Sequence, residues 1–327
     1  MSAGRSARIT AVRSPQISVV IPTRGREERL RRALAGVAGQ TLPPDAFEVV
    51  VVRAEATGPL ADAPPGLPVR FLELRESRGA AMQRNAGWRA ARAPLVAFMD
   101  DDCRPAPDWL EQLLRAADQR SDRIVQGRTE PDPEEASDLY GLARSLLITG
   151  PTAWFETANI LYPRALLERL GGFDESFPHA WGEDTDLGLR ALEAGADRRY
   201  ADGALVWHAV HRRTLPSALR EALQRDGMPA LIARHPSHRR ALDLGIFARR
   251  AHALLVLALI GAVVFRRRPL LALLAAYPYL RRHVDPRKGW LRAGALIARD
   301  VPQRLPVDLF EVAALARSSI RHRTLVL

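Results

Sequence analysis

The chain has 327 residues, 47% of them hydrophobic and 26% charged. That is enough apolar material for one large domain or two ordinary ones, and it excludes wholesale disorder and a polytopic membrane protein. The net charge of +11 is unevenly spread. Residues 1–203 carry 26 basic and 30 acidic side chains, while residues 204–327 carry 22 basic and 7 acidic. All but one of the basic residues are arginine, the exception being Lys288. A lone cysteine, Cys103, excludes a disulfide framework and a multi-cysteine metal site. Met1 to Gln16 contains no apolar run, so no secretory signal is expected there, and the expected location is the cytosol or a membrane face turned toward it.

In chain order, a flexible stretch over 1–15 precedes Ile17–Ile21, a β-branched run that reads as a buried parallel strand ending at Pro22. A polar turn leads into a helix over 27–39 with Leu30, Leu34 and Val37 on one face. Phe47–Val52 is a second buried strand, 57–68 a proline-rich loop, and Val69–Leu72 a third strand. An alanine-rich helix over 80–92 precedes a fourth strand, Leu95–Met99, with Asp100, Asp101 and Asp102 at its end. A helix over 108–120, a strand over Ile124–Arg128, an acidic loop over 129–138 and a helix over 139–149 come next. A short strand, Ala204–Trp207, ends at His208, and basic helices are expected over 215–234 and 239–252. Strands alternating with helices predict a doubly wound α/β sheet, whose ligands bind beyond the carboxyl ends of the strands.

The acidic triplet sits at such an end. Three ionised aspartates repel one another, and a divalent cation removes that cost; carboxylate oxygens suit Mg²⁺ or Mn²⁺. On an extended segment Asp100 and Asp102 share a side and Asp101 points away. The alternative is a solvated turn or a helix cap. A second cluster, Glu183, Asp184 and Asp186, crowds the start of a helix whose expected apolar face is Leu187, Leu189 and Leu192. Helix N-termini favour carboxylates, and a general base beside an acceptor hydroxyl is the functional reading. His208, with His211 as the second choice, offers an imidazole to a divalent site.

Taken together, these stretches resemble the family 2 glycosyltransferases. The matching residues are Val20 to Arg26, Arg84-Asn85-Ala86-Gly87, Phe98 to Asp102 with Pro105 behind, Asn159, Gly171 to Glu175, Gly182 to Leu187, and His208. The resemblance covers about residues 15–212 and implies a GT-A fold, a Rossmann-like doubly wound mixed sheet, over 16–212, with an α-helical region over 213–327. It implies a nucleotide-sugar donor bound with Mg²⁺ or Mn²⁺, a single inverting displacement, Asp184 as base, and Glu183 and Asp186 as supporting acids. By the same resemblance the metal ligands are Asp102, Asp100 and His208, and the donor contacts are Pro22, Thr23, Arg26, Glu55, Arg84, Asn85, Asp100 and Asp101. One departure concerns the base-reading acid after the second strand, where this chain has Arg53-Ala54-Glu55; Glu55 is the substitute, or backbone groups read the base. A nucleotidyltransferase is disfavoured by the single glycine after the first strand, and a non-catalytic scaffold by the presence of all four key residues.

Two apolar runs, 253–265 and 269–280, are separated by Arg266-Arg267-Arg268. Each is shorter than the ~20 residues a spanning helix needs. The expected arrangement is a hairpin lying in the membrane interface with its arginines on anionic headgroups, Tyr277, Tyr279 and Trp290 serving as a belt. A buried pair in a soluble subdomain and short or tilted spanning helices are the alternatives. An amphipathic helix is expected within 301–327. An acceptor that is a lipid-linked sugar or a cell-envelope glycan precursor follows only from this tail. The arginines alternate with aliphatic residues rather than with aromatics, which excludes a base-stacking nucleic-acid surface.

Overall fold

The structure, a computed structural model, describes residues 14–54, 63–76, 79–177, 181–282 and 290–327, without the side chains of 226 and 290–298. Lys288, the stretch 1–13 and Glu55 lie outside the described residues, as does the side chain of Trp290. Among the described residues eight strands form one sheet: β1 (Ile17–Thr23), β2 (Phe47–Ala54), β3 (Val69–Leu74), β4 (Leu95–Met99), β5 (Cys103–Pro105), β6 (Arg123–Pro131), β7 (Asn159–Pro163) and β8 (Asp197–His208). Their order is β3-β2-β1-β4-β7-β6-β8-β5. The β1–β2, β2–β3 and β1–β4 pairs are parallel, while β7 runs antiparallel to β4 and β6. The sheet is therefore the mixed, doubly wound kind that the resemblance implies.

Contacts divide the chain into two compact units, one made of the chain up to Thr129 with Glu156–Gly172 and Ala194–Trp207, the other of Glu130–Phe155, Phe173–Glu193 and His208–Leu327. In the first, β1 and β2 are buried along their whole length, as strands covered on both faces must be, which is why they read as unbroken apolar runs. Helix α1 (Glu27–Ala38) buries Leu30, Ala33, Leu34 and Val37, α2 (Ala80–Ala90) lies over β1 and β2, α3 (Trp109–Ala117) buries Trp109, Leu110 and Leu113, and α4 (Arg164–Leu170) follows β7. Asn159 ties the antiparallel half together: its Nδ2 donates to the carbonyls of Arg128 and Ala204 at 2.7 and 2.8 Å, and its Oδ1 accepts from Trp109 Nε1 at 2.9 Å. Such a fully buried amide is tolerated only because both of its ends are satisfied.

The second unit holds α5 (Glu183–Glu193), α6 (Leu215–Ala222), α7 (Gly227–Arg234), α8 (Arg250–Val264), α9 (Pro269–Arg281) and α10 (Trp290–His322). Its core contains Met228, Ile232, Leu242, Leu315 and Val326.

Four local expectations are corrected. Residues 139–149 form no helix: Gly141 has φ +59° and the Arg144 backbone bridges to that of His211. The helix expected over 239–252 begins only at Arg250, because Leu244 and Gly245 adopt left-handed φ values of +52° and +73°. The last strand has twelve residues rather than four, since its polar outward positions hid the alternation. In α5 the buried face is Leu187, Gly188 and Ala191, while Leu192 is exposed.

Gly87 lets α2 sit directly on the sheet, for a Cβ there would lie 2.3 Å from Val20 Cγ1 and 3.1 Å from Val52 Cγ2. Gly87→Ala is expected to destabilise the protein by about 1–3 kcal/mol in urea unfolding, the usual cost of overpacking. Gly150→Ala, with open space around it, should stay within about 0.5 kcal/mol of the parent.

Candidate active site

Strand β4 ends with Phe98 and Met99 fully buried, and the chain then turns instead of continuing extended. The Cys103 N–H donates to the Asp100 carbonyl at 3.1 Å and closes the turn. The strand alternation expected for the triplet is therefore absent, and Asp101 is the residue turned inward. It is completely buried, and its Oδ2 accepts from the Thr23 hydroxyl at 2.6 Å and from Arg26 Nε at 3.2 Å. Arg26, the residue before α1, also donates through Nη1 to Asp102 Oδ2 at 2.6 Å. Arg84 on α2 reaches Asp100 Oδ1 at 3.0 Å. From the same helix Gln83 donates to the Thr23 and Val52 carbonyls at 2.8 and 3.1 Å, fixing the ends of β1 and β2 beneath the turn.

Arg26 and Arg84 thus bring their guanidiniums to the three carboxylates. Burial pushes the Asp101 carboxyl up to about 6; Arg26 and the Thr23 hydroxyl oppose the rise, and the charge of Asp102 adds to it. Burial pulls the Arg26 guanidinium down, but Asp102, Asp101 and Asp100 together hold it above its ordinary value. Burial, with Asp102 and Asp100 nearby, raises the Cys103 thiol well above its usual range, which makes it inert. The buried Asp101 Oδ1 lacks a hydrogen bond, although a guanidinium nitrogen of Arg26 lies against it. A surplus of hard oxygen donors and of negative charge suits Mg²⁺ or Mn²⁺.

The three acids at the start of α5 occupy different surroundings. Glu183 is buried and so is Asp186, whereas Asp184 is half-buried. Asp184 Oδ1 accepts from the Thr185 N–H at 2.7 Å, and the Thr185 hydroxyl donates to the Trp154 carbonyl at 2.7 Å, so the carboxylate is oriented from below. Asp186 is an anchor. Its Oδ1 accepts from His235 Nε2 at 3.0 Å and from Arg234 at 3.1 Å, and its Oδ2 accepts from Arg190 at 2.8 Å. Arg234 also reaches Asp174 at 2.6 Å, and His235 Nδ1 lies 3.1 Å from Glu193. Burial alone would raise the Asp186 carboxyl; hydrogen bonds from His235, Arg190 and Arg234 hold it below the usual carboxylate range.

His208 closes β8. Its Nδ1 lies 2.8 Å from the Ala209 carbonyl, which can only accept, so Nδ1 is the donor nitrogen of the ring. That is the arrangement a cation ligand needs. The Ser145 hydroxyl lies 3.3 Å from the same nitrogen, and the His211 ring stands edge-on with centroids 5.7 Å apart.

Within the first unit the structure thus brings together Thr23, Arg26, Arg84, Asp100, Asp101 and Asp102. Pro22 is buried inside β1 beside them in sequence. Asn85, expected at the donor, is instead almost completely buried, its Oδ1 accepting from Trp88 Nε1 at 2.8 Å. The bare Cα of Gly172 leaves room for this pair. Sequence reasoning missed Gln83, Arg234 and His235. Gln83 stands directly before the Arg84 that was read, while the last two carry no local signal.

The chain is thus an α/β protein with a mixed sheet and an acidic turn at the end of a central strand. The family described as Glycosyl transferase family 2 matches residues 18–170, and that described as Glycosyl transferase family group 2 matches residues 95–280. The chain belongs to the family 2 glycosyltransferases. It is 31% identical over 243 residues to a validoxylamine A glucosyltransferase of Streptomyces hygroscopicus subsp. limoneus, covering 61% of this chain and 53% of the relative. It is 31% identical over 235 residues to a pre-mycofactocin glycosyltransferase of Mycobacterium tuberculosis, covering 67% and 48%. The chain thus spans about half the length of these relatives. A solved mannosyltransferase from Pyrobaculum calidifontis, in complex with GDP-Man and Mn²⁺, superposes with a TM-score of 0.57 at 21% identity, covering 95% of this chain and 88% of the other. The fold is GT-A.

Asp186→Asn leaves two guanidiniums and the His235 ring facing a neutral amide and is expected to cost about 3–5 kcal/mol at pH 7 by denaturant unfolding. The folded carboxyl lies below its unfolded value of about 3.9, so its contribution is complete above that pH and is lost as acid protonates the folded form. The parent should therefore lose stability more steeply than the variant as the pH falls below about 4.

Proposed function

We propose that the chain is an inverting, divalent-cation-dependent glycosyltransferase that moves a sugar from a nucleotide-sugar donor to a hydroxyl of a glycan or lipid-linked acceptor at a membrane surface. The observation that carries the catalytic part is the contrast at the start of α5: of three neighbouring acids, only Asp184 is open enough to meet an acceptor, and it is oriented by Thr185. A single carboxylate base suffices for one displacement, since no covalent nucleophile is needed when the leaving group is a stabilised diphosphate. Membership of the family, and relatives named for glucosyl and glycosyl transfer, support the reaction class.

Asp102, Asp100 and His208 would hold the cation, which when bound supplies positive charge to the departing diphosphate. Arg26 and Arg84 hold the triplet in shape and offer guanidinium donors to phosphate oxygens. Thr23 and Gln83 fix the strand ends over which the nucleotide would lie. Asp184 accepts the proton of the acceptor hydroxyl as that oxygen attacks the anomeric carbon from the face opposite the diphosphate.

Transfer from a panel of nucleotide sugars, with Mn²⁺ or Mg²⁺ and after EDTA, tests the reading. Asp184→Asn should lower kcat by about 10²–10⁴ while leaving calorimetric binding of the matching nucleoside diphosphate within about twofold. Asp102→Ala should abolish the metal-dependent part of that binding. Near-normal turnover by Asp184→Asn would remove it as the base.

A further inference from the structure

Helices α8 and α9 form a hairpin with two contrasting ends. At its base a buried polar network fixes it to α10. Arg249 pairs with Asp308 at 3.2 Å and with Glu311, His252 Nε2 lies 3.0 Å from Glu311, Arg225 reaches Glu311 at 3.2 Å, and the Tyr279 hydroxyl donates to Asp308 at 2.9 Å. Burial and Arg249 lower the His252 imidazole to about 4, so it is neutral within the network. Tyr279, expected in an interfacial belt, is thus an inward anchor. Beyond this base the hairpin is bare: Val263, Leu270 and Leu274 are 67%, 75% and 67% exposed, and Leu257, Ile260, Val264 and Leu273 are exposed as well. Gly261 against Ala275 brings the two helices into close contact, so their outer leucines have no partner within the pair. A buried pair in a soluble subdomain does not describe such a surface.

Beside the base lies a cleft of about 560 Å³ lined by Arg250, Leu254, Tyr277, Pro278, Arg281 and Arg282. Its three arginines are exposed, and among the described residues none has a carboxylate partner. No Asp or Glu occurs anywhere between 244 and 282, while seven arginines do. Three cations converging over an apolar flank match an anionic head joined to a hydrocarbon tail. At the other end Arg266, Arg267 and Arg268 are exposed too. No described helix is long and apolar enough to cross a membrane, and plunging the tip inward would carry three guanidiniums into hydrocarbon. Lying along the interface leaves both arginine clusters at headgroup level, with the leucines between them in the acyl boundary. A second copy of the chain is a poorer occupant, because two such hairpins would bring like charges together at both ends.

We propose that the cleft of Arg250, Arg281 and Arg282 binds the phosphate headgroup of a membrane lipid while the leucines of α8 and α9 enter the acyl layer, seating the protein on an anionic bilayer. This deepens the membrane part of the proposed function and does not depend on the transfer chemistry.

The test is flotation of the full chain with phosphatidylcholine vesicles, with and without phosphatidylglycerol. Three proteins are compared: the parent, a triple Arg250→Gln, Arg281→Gln, Arg282→Gln variant, and a triple Leu270→Ser, Leu273→Ser, Leu274→Ser variant. Equal melting temperatures confirm that the variants, altered only at exposed sites or half-exposed rims, are folded. The parent should float with the anionic vesicles and be released by high salt. The arginine variant should bind them about a hundredfold more weakly, at about fivefold per arginine, and the leucine variant should not float. Parent protein that stays in solution at every composition, or variants that float like the parent, overturn the proposal. A rise in melting temperature with inorganic phosphate, without vesicle binding, reassigns the cleft to a free anion. A dimer lost in the leucine variant, with flotation unchanged, reassigns the face to a second copy. Calorimetric binding of a nucleoside diphosphate by the same parent preparation separates the two readings: protein that binds it but does not float loses this proposal alone.

Discussion

The structure of the first unit depends on keeping three consecutive carboxylates at the end of a buried strand. Left alone they would repel one another and resist burial. The surroundings are arranged to hold them in place: Thr23 and Arg26 from the end of β1 clasp Asp101 and Asp102, and Arg84 from α2 clasps Asp100. The reach of α2 is itself set by Gly87, whose missing side chain lets the helix rest on Val20 and Val52. That close approach puts Gln83 on the strand carbonyls and Arg84 on the triplet. A packing feature in the core thereby decides the electrostatics of the site. The compensation by Arg26 and Arg84 leaves the buried Asp101 carboxyl raised, which is the imbalance the proposed cation would offset.

The second unit separates the same chemical group into two roles by burial. Asp186 has no exposure, and its carboxylate accepts from His235 and Arg234 on one oxygen and from Arg190 on the other. Asp184, two residues earlier, keeps an open edge. The helix N-terminus favours both charges, and burial separates them. Asp186 ties the start of α5 to the end of α7 and, through Arg234, to Asp174 in the turn after α4.

Much of this was legible in the sequence because the signals are local. Unbroken β-branched runs mark β1 and β2, since buried parallel strands have no polar face, and the acidic triplet marks the end of β4. Signals failed where tertiary context decides. The turn after Met99 buries Asp101 and Asp102 together and leaves Asp100 more open, because extended alternation stops where the strand stops. Asn85 reads as a ligand contact by its motif but is committed to Trp88. Arg234 and His235 sit in a stretch whose basic composition suggested only a surface, and no spacing rule links them to Asp186, about fifty residues away. The left-handed backbone at Leu244 and Gly245 delayed α8 in a way composition does not reveal.

The lopsided charge of the chain has a structural explanation in the same terms. The C-terminal third contains few acids, and three of them, Glu221, Asp308 and Glu311, are taken up internally. Glu221 holds Arg144 and Arg213, while Asp308 and Glu311 hold Arg249, Arg225 and Tyr279. Each is occupied by a group it must neutralise or satisfy in a partly or fully buried place, where an unpaired charge is costly. The six arginines of the hairpin, Arg250, Arg266 to Arg268, Arg281 and Arg282, have no acid along its length. They gather at its two ends, on either side of the exposed leucines of α8 and α9. A solvated basic surface has no reason to be apolar between its charges, and an apolar contact surface has no reason to be rimmed by one sign. These two features together are what the proposed seating on an anionic bilayer rests on.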